Sequence, residues 1–495
     1  LKLHPKLRHV NCQYASAIRS FLFALLLFCP LTGLHALQLD ILQLGAKPDG
    51  VSLNTGIIQN AIDRVSESGG GTVIIPAGRF LTGSFILKSN VSLNINKGAF
   101  LLGSRNINDY AAIQPRYVAL RTGQPTRQLI FAEGQENIAI RGEGTIDGQG
   151  DAFKFTRDGE EGVERPHLIQ LINCRQVRIE GVTLRNSGAW MQHYLACENL
   201  HIRGINVYNH CNYNNDGIDI DGCRDVVVSD CIIDSDDDGI CLKSTSPAVC
   251  QDVVVSNCVV KSHCNALKLG TESTGGFRNI AFTNCVVSPS ADPDPFYGTL
   301  RGQSAISVEM VDGGVLNGVT ISNITITETD CPIFIRLGNR ARKYASEAPE
   351  PGIGILQNVI LTDIHATTSS KTTSSITGIP GGYAENIILA NISIVNLSGG
   401  TKEDASLLVK ENDKGYPTPT TFGDILPASA FFVRHVRNIS FHNVQVHLRG
   451  INHRPVFVFQ DVKNARVLNP LVSADALMPG LLVKDAACEN VRIEK

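Results

Sequence analysis

"NCRQVRIEGVTL" (173–184), "ACENLHIRGINV" (196–207), "GCRDVVVSDCII" (222–233) and "VCQDVVVSNCVV" (249–260) are four versions of one short phrase. Each opens on a turn and then sets apolar residues at alternate positions in two short runs, the period of a strand with one buried face. The first apolar residue after the turn falls at Val177, Leu200, Val226, Val253 and Ile280, at spacings of 23, 26, 27 and 27. Looser copies continue from 277, 316, 356, 384 and 436. A sustained period in the twenties, built from strands without helices, predicts an all-β solenoid, a right-handed parallel β-helix. Its coils would stack at about 4.8 Å, with Cys, Ile and Val laddered inside and Asn laddered at the bends. Such a ladder accounts for Asn323, Asn391, Asn396 and Asn438, all in N-x-S/T triplets, better than glycosylation does.

A solenoid must cover its open apolar end. "NTGIIQNAIDRVSESGGG" (54–71) supplies a short N-terminal capping helix, with Ile57, Ile58, Ala61, Ile62 and Val65 on one stripe and Asn54 or Thr55 to cap its start. No linker divides the rest, so residues 37–495 are expected to form a single domain. The stretches 288–304, 339–352 and 400–426, rich in Pro, Gly and polar residues, read as loops between coils that wall a groove.

Residues 1–36 read differently. Lys2, Lys6, Arg8 and Arg19 precede the apolar run "FLFALLLF" (21–28), the pattern of a signal peptide and too short for a membrane span. The expected location is therefore secreted or periplasmic. A net charge of −3 on 495 residues supplies no bulk positive charge to hold nucleic acid or an anionic membrane. The 14 cysteines mostly recur at one point of the repeat, so they are expected to pack the interior, with one or two disulfides.

The acidic residues concentrate in "NNDGIDIDGC" (214–223) and "DSDDDGIC" (234–241). From Asp216 to Asp237 is 21 residues, close to one coil, which would stack Asp216 against Asp237. Gly239 would permit a kink that turns Asp237 and Asp238 toward one groove. Asp234, Asp236, Asp238 and Gly239 match the opening of a calcium loop, but residue 245, where that loop needs Glu, is Thr. No metal and no cofactor are expected. Crowded carboxyls suit the hydrolysis of a glycosidic bond, which asks for one protonated acid and one ionised base at the same linkage.

"NNDG", "DSDDDGICLKS" one coil later, and "HCNALKLGTES" (263–273) resemble glycoside hydrolase family 28, the polygalacturonase family. "LGAKPDG" (44–50), "GGGTVIIPAG" (69–78) and "GEGTIDGQG" (142–150) are similar to the wider group of pectin-degrading β-helices. The resemblance implies an inverting hydrolase with Asp237 as general acid, Asp236 sharing its register, and Asp216 and Asp238 holding and activating water. Two positions depart from the family pattern. Cys264-Asn265-Ala266 stands at a Gly-His-Gly, and Ser307 and Glu309 stand at an Arg-x-Lys that binds the galacturonate carboxylate, which points toward rhamnogalacturonan or another pectic linkage. Asn214, Lys243, Asn265, Lys268, Glu309, Arg336 and His193 are the expected substrate-binding residues; Arg340 and Trp190, the one tryptophan, are further groove candidates. The expected partner is a polysaccharide or oligosaccharide, acted on by a monomer. A polysaccharide lyase or a non-catalytic carbohydrate-binding module on the same fold would leave many of these features unchanged.

Overall fold

Val177, Leu200, Val226, Val253 and Ile280 lie side by side in one parallel ladder, and the row continues through Val319, Val359, Ile387, Ile439 and Ala465. The computed structural model describes residues 36–153 and 164–494; the signal peptide expected at 1–36 lies almost wholly outside the described residues. One compact unit, Gln38–Lys495, contains the ladder. Its strands pair in parallel coil upon coil, and the architecture is a right-handed parallel β-helix. Among the described residues no helix is long and apolar enough to cross a membrane.

The alternation read in the repeat is the alternation of burial. Along Arg224–Ser229, Val226 and Val228 are buried while Val227 is 37% exposed, because successive side chains of a strand face opposite ways. Cys231, Cys258 and Cys285 stack inside, each thiol hydrogen-bonded to the carbonyl two residues before it. The expected disulfides are not formed: all twelve described cysteines are free, ten of them buried, and they fill the interior as small apolar residues.

At the bends, asparagine does two jobs. Asn and Asp tolerate the left-handed backbone better than other residues with a side chain, and Asn358, Asn386, Asn438, Asn464 and Asn490 all adopt it. Their side-chain amides then bond up the stack: Asn490 to Asn464 (3.0 Å), Asn464 to Asn438 (3.1 Å), Asn438 to Asn386 (3.0 Å), Asn386 to Asn358 (3.0 Å) and Asn358 to Asn317 (2.7 Å). Asn323 and Asn391 sit in a second ladder, on Asn284 and Asp363, and Asn396 is buried with its amide on the Ser429 carbonyl.

The capping helix, α1 (Thr55–Glu67), buries Ile58, Ala61, Ile62 and Val65 against the first coil, with Ile57 half-buried. Neither expected cap is made. The Asn54 side chain accepts from Lys47 N and donates to the Ser52 carbonyl, and Thr55 Oγ1 accepts from Gly83 N. Both groups tie the helix to the coil beneath it.

Four stacked strands build the groove floor: Ile218–Asp221, Ile240–Ser244, Asn265–Ser273 and Ser304–Met310. Inward go Ile218, Ile240, Leu267 and Ile306 as one row. The next residue of each strand, Asp219, Cys241, Lys268 and Ser307, faces the other way. The connections 289–303, 338–354 and 397–430, the last with two short helical turns, reach over this second face through Phe296, Arg342 and Tyr416, and all four strands are buried on both sides.

Candidate active site

The register at the centre of the groove differs by one residue from the simple count. Ile218 pairs with Ile240, and Gly217 N donates to the Asp238 carbonyl at 2.8 Å. Asp216 therefore stacks on Asp238, and Asn215 stands opposite Asp237, whose N–H faces the Asn215 carbonyl. Gly239 does not act through an unusual backbone angle either. A Cβ there would lie 2.4 Å from Val260 Cγ1 and 2.6 Å from the Ala266 carbonyl oxygen, so this position has no room for a side chain. Asp237 and Asp238 share a face because both lie in the bend between strands Ile232–Ser235 and Ile240–Ser244, where alternation no longer applies.

The four aspartates of the run take separate partners. Asp234 pairs with His210 Nε2 at 2.9 Å. Asp236 accepts from the backbone N–H groups of Phe296 and Tyr297 at 2.8 and 2.9 Å and contacts His263 Nδ1 at 3.1 Å, so it anchors the 289–303 loop. Asp237 Oδ1 accepts from Asp238 N at 2.9 Å. Asp238 accepts from Asn265 Nδ2 at 2.8 Å and from Lys268 Nζ at 2.9 Å.

Electrostatics then separates the neighbours. Burial, reinforced by the Asp238 charge, pushes the Asp237 carboxyl up to about 7. Burial pushes Asp238 the same way, but Lys268, Lys243 and the Asn265 hydrogen bond outweigh it and hold that carboxyl below its ordinary value. Burial, with Asp219 and Asp237 close by, raises Asp216 well above the ordinary range, and its Oδ1 has no hydrogen-bond partner. Lys243 Nζ lies 3.2 Å from Asp219, 3.5 Å from Asp216 and 3.8 Å from Asp238, joining the acids through one cation.

Of the residues picked from the sequence, Asp216, Asp237, Asp238, Lys243, Asn265, Lys268 and Glu309 come together. Glu309 is fully buried, accepting from Ser307 Oγ at 2.6 Å and lying 3.8 Å from Lys268, so its charge steadies a lysine. Three others are engaged by other partners. His193 is the ladder neighbour of Asp219 in the same outward row, but it is fully buried, with its ring nitrogens taken by Gln170 and Asp221. Arg336 spends its guanidinium on Thr377, the Gly378 carbonyl and the Asn412 carbonyl. Asn214 is exposed at the rim and accepts from Arg165. Arg340 pairs with Asp312. Trp190 is only 6% exposed, with Lys243 and Arg121 against its ring, which leaves little face for a sugar. Asp219 was missed, although alternation in "IDID" places it on the side opposite Ile218 and Ile220. Glu272, Arg121 and Arg342 were missed too; the two arginines come from non-repeating chain.

Two triads bring possible metal-ligand atoms within 4.8 Å of one another: His210, Asp236 and His263, and Asp237, Asp238 and Cys264. Neither donor set suits a cation. In the first, Asp236 and His263 already satisfy each other and the loop. In the second, two lysines compete at Asp238, and burial raises the Cys264 thiol well above its ordinary value, away from the thiolate. Asp234, Asp236 and Asp238 do not converge on one point as a calcium loop requires.

Residues 68–413 match the model of the glycosyl hydrolases family 28. The chain belongs to that family. Among family 28 relatives, it is 35% identical over 215 residues to a probable polygalacturonase of Vitis vinifera, covering 41% of this chain and 44% of the relative. It is 30% identical over 250 residues to the exo-poly-alpha-D-galacturonosidase of Dickeya chrysanthemi, covering 41% of each. These matches span less than half the length of either relative. The solved exopolygalacturonase of Thermotoga maritima shares the fold, with a TM-score of 0.60 at 23% identity over 74% of this chain and 88% of that one. The Yersinia enterocolitica family 28 exopolygalacturonase also has a TM-score of 0.60, at 20% identity over 92% of this chain and 78% of that one.

Proposed function

We propose that this family 28 chain is an exported, inverting hydrolase of pectic polysaccharide, galacturonan or rhamnogalacturonan in type, working by aspartate acid–base catalysis. The observation that carries this reading is the opposite bias of two adjacent carboxyls. Asp237 is raised to about 7 while Lys268, Lys243 and Asn265 hold Asp238 ionised. Asp237 gives its proton to the glycosidic oxygen as the bond to the anomeric carbon breaks. Asp238 takes a proton from the water whose oxygen attacks that carbon from the opposite face. Asp216, stacked on Asp238 with an unengaged Oδ1, holds the water in line. Proton exchange with solvent then restores Asp237 to the acid and Asp238 to the carboxylate. Export is supported by the basic and apolar pattern of residues 2–28.

The test is a reducing-end assay on homogalacturonan, rhamnogalacturonan and their oligosaccharides, with and without chelator, beside Asp237→Asn. Chelator-insensitive cleavage that the variant lowers by about 10²- to 10⁴-fold, with proton NMR showing inverted anomeric configuration in the first product, is the expected result. Unsaturated products would mean a lyase. Binding without turnover in the wild type would mean a carbohydrate-binding module.

A further inference from the structure

Family 28 polygalacturonases are expected to hold the substrate carboxylate at the two positions where this chain has Ser307 and Glu309. Here both side chains are fully buried and turned onto each other and Lys268. A cationic surface occurs elsewhere on the groove. Glu272 lies in the floor strand Asn265–Ser273 with its side chain 6% exposed, and it accepts from both Arg121 Nη2 (3.0 Å) and Arg342 Nη2 (2.5 Å). Two guanidinium groups share the one Glu272 carboxylate. Arg121 is the more open of the pair, with its side chain 45% exposed against 36% for Arg342.

Arg121 is also held in place. Leu120 N donates to the Thr245 carbonyl at 2.9 Å, and Tyr117 Oη meets Ser246 Oγ at 3.3 Å. These bonds pin the turn at 117–122 onto the end of the strand that carries Lys243. The guanidinium carbon sits 5.1 Å from the centre of the Trp190 ring, and Lys243 Nζ sits 4.8 Å from the same ring and 3.5 Å from Asp216. An arginine has five N–H donors in a fixed plane. One hydrogen bond to Glu272 and the Trp190 ring beneath the guanidinium hold that plane, and at 45% exposure the side chain keeps donors for a carboxylate, which a guanidinium receives through two parallel bonds.

We propose that Arg121, seconded by Arg342, receives the carboxylate of a uronate unit bound beside the acidic centre and so makes the site selective for acidic over neutral sugar chains. The proposal rests on the reading of the groove as a glycan site and names its substrate class. It is tested by calorimetry on the full chain carrying Asp237→Asn, titrated with an unesterified galacturonate oligosaccharide and with the same oligosaccharide after reduction of its carboxyls to alcohols. The acidic ligand should bind more tightly. Adding Arg121→Gln should cut that preference by about tenfold, and adding Arg121→Lys, which keeps the charge without the planar fork, should cut it by less. Thermal melts of the variants serve as the folding control, and Arg342→Gln gives a second reading of the ratio. Equal binding of the two ligands, no binding of the acidic one, or a preference unchanged by Arg121→Gln would overturn the proposal. Cleavage of pectic chains with that unchanged preference would leave the hydrolase standing and remove Arg121 alone. Arg121-dependent binding by a protein that cleaves nothing would do the reverse.

Discussion

Lys268 Nζ lies 2.9 Å from Asp238 Oδ2, and both side chains are almost wholly buried. This pair lets one carboxyl stay charged beside another that keeps its proton. Replacing Lys268 with Met removes a cation that favours the charged form, so the Asp238 carboxyl should move upward. The acidic limb of the pH–rate profile should shift to higher pH, and kcat/KM at pH 5 should fall by about 10²-fold. An unmoved acidic limb in Lys268→Met would show that Asp238 is not the base.

As the proposed acid, Asp237 acts in its protonated form and is poised at about 7, so activity should decline as pH rises through that value. Stability should follow in the same direction. A carboxyl whose folded-state pKa is raised binds a proton more tightly folded than unfolded, so between about pH 4 and 7 stability is lost as pH increases. Asp237→Asn removes this penalty. The variant should melt roughly 2–5 °C above wild type at pH 8, with the gap closing toward pH 4, as calorimetric scans would show.

Asp236 is not expected to transfer protons, since both its oxygens accept from the backbone of Phe296 and Tyr297. Asp236→Ala strands two half-buried donors at a cost of about 1–3 kcal/mol. Limited proteolysis should then cut faster near 292–299, and amide exchange there should quicken while the rest of the groove floor stays protected.

Gly239→Ala should damage the bend that carries Asp237 and Asp238. The added carbon meets Val260 and the Ala266 carbonyl inside contact distance, next to Asp238. Overpacking of this kind costs about 1–3 kcal/mol, and because the bend carries the proposed acid and base, activity should fall further than stability. Urea unfolding beside the reducing-end assay separates the two losses.

The core was legible in the sequence because each coil repeats one short phrase. Val177, Leu200, Val226, Val253 and Ile280, chosen by pattern alone, are neighbours in one ladder. Asn323, Asn391 and Asn438 were legible as ladder residues for the same reason, whereas Asn396 is buried on the Ser429 carbonyl outside any Asn ladder. The site was legible by type and misread by one position, since Asp216 stacks on Asp238 where a 21-residue count placed it on Asp237. Periodicity reports the strands, and these acids sit in bends whose length varies from coil to coil. His193 and Arg336 have residue types that suit a groove, but their partners, Asp221 and the Gly378 carbonyl, are set by neighbouring coils and loops. Arg121 and Arg342 lie in chain with no repeat, so nothing in the pattern marked them.

The Ile280 row continues at Val319, Val359, Ile387 and Ile439, steps of 39, 40, 28 and 52 residues, yet every one remains a direct ladder neighbour of the last. The surplus chain is shed sideways, over the groove, without shifting a rung. Loops in this scaffold can therefore be lengthened, exchanged or grafted at nearly constant interior packing. Changes of loop length and changes of interior packing are thus separable in this chain, so its loops can diverge without its backbone having to be reinvented.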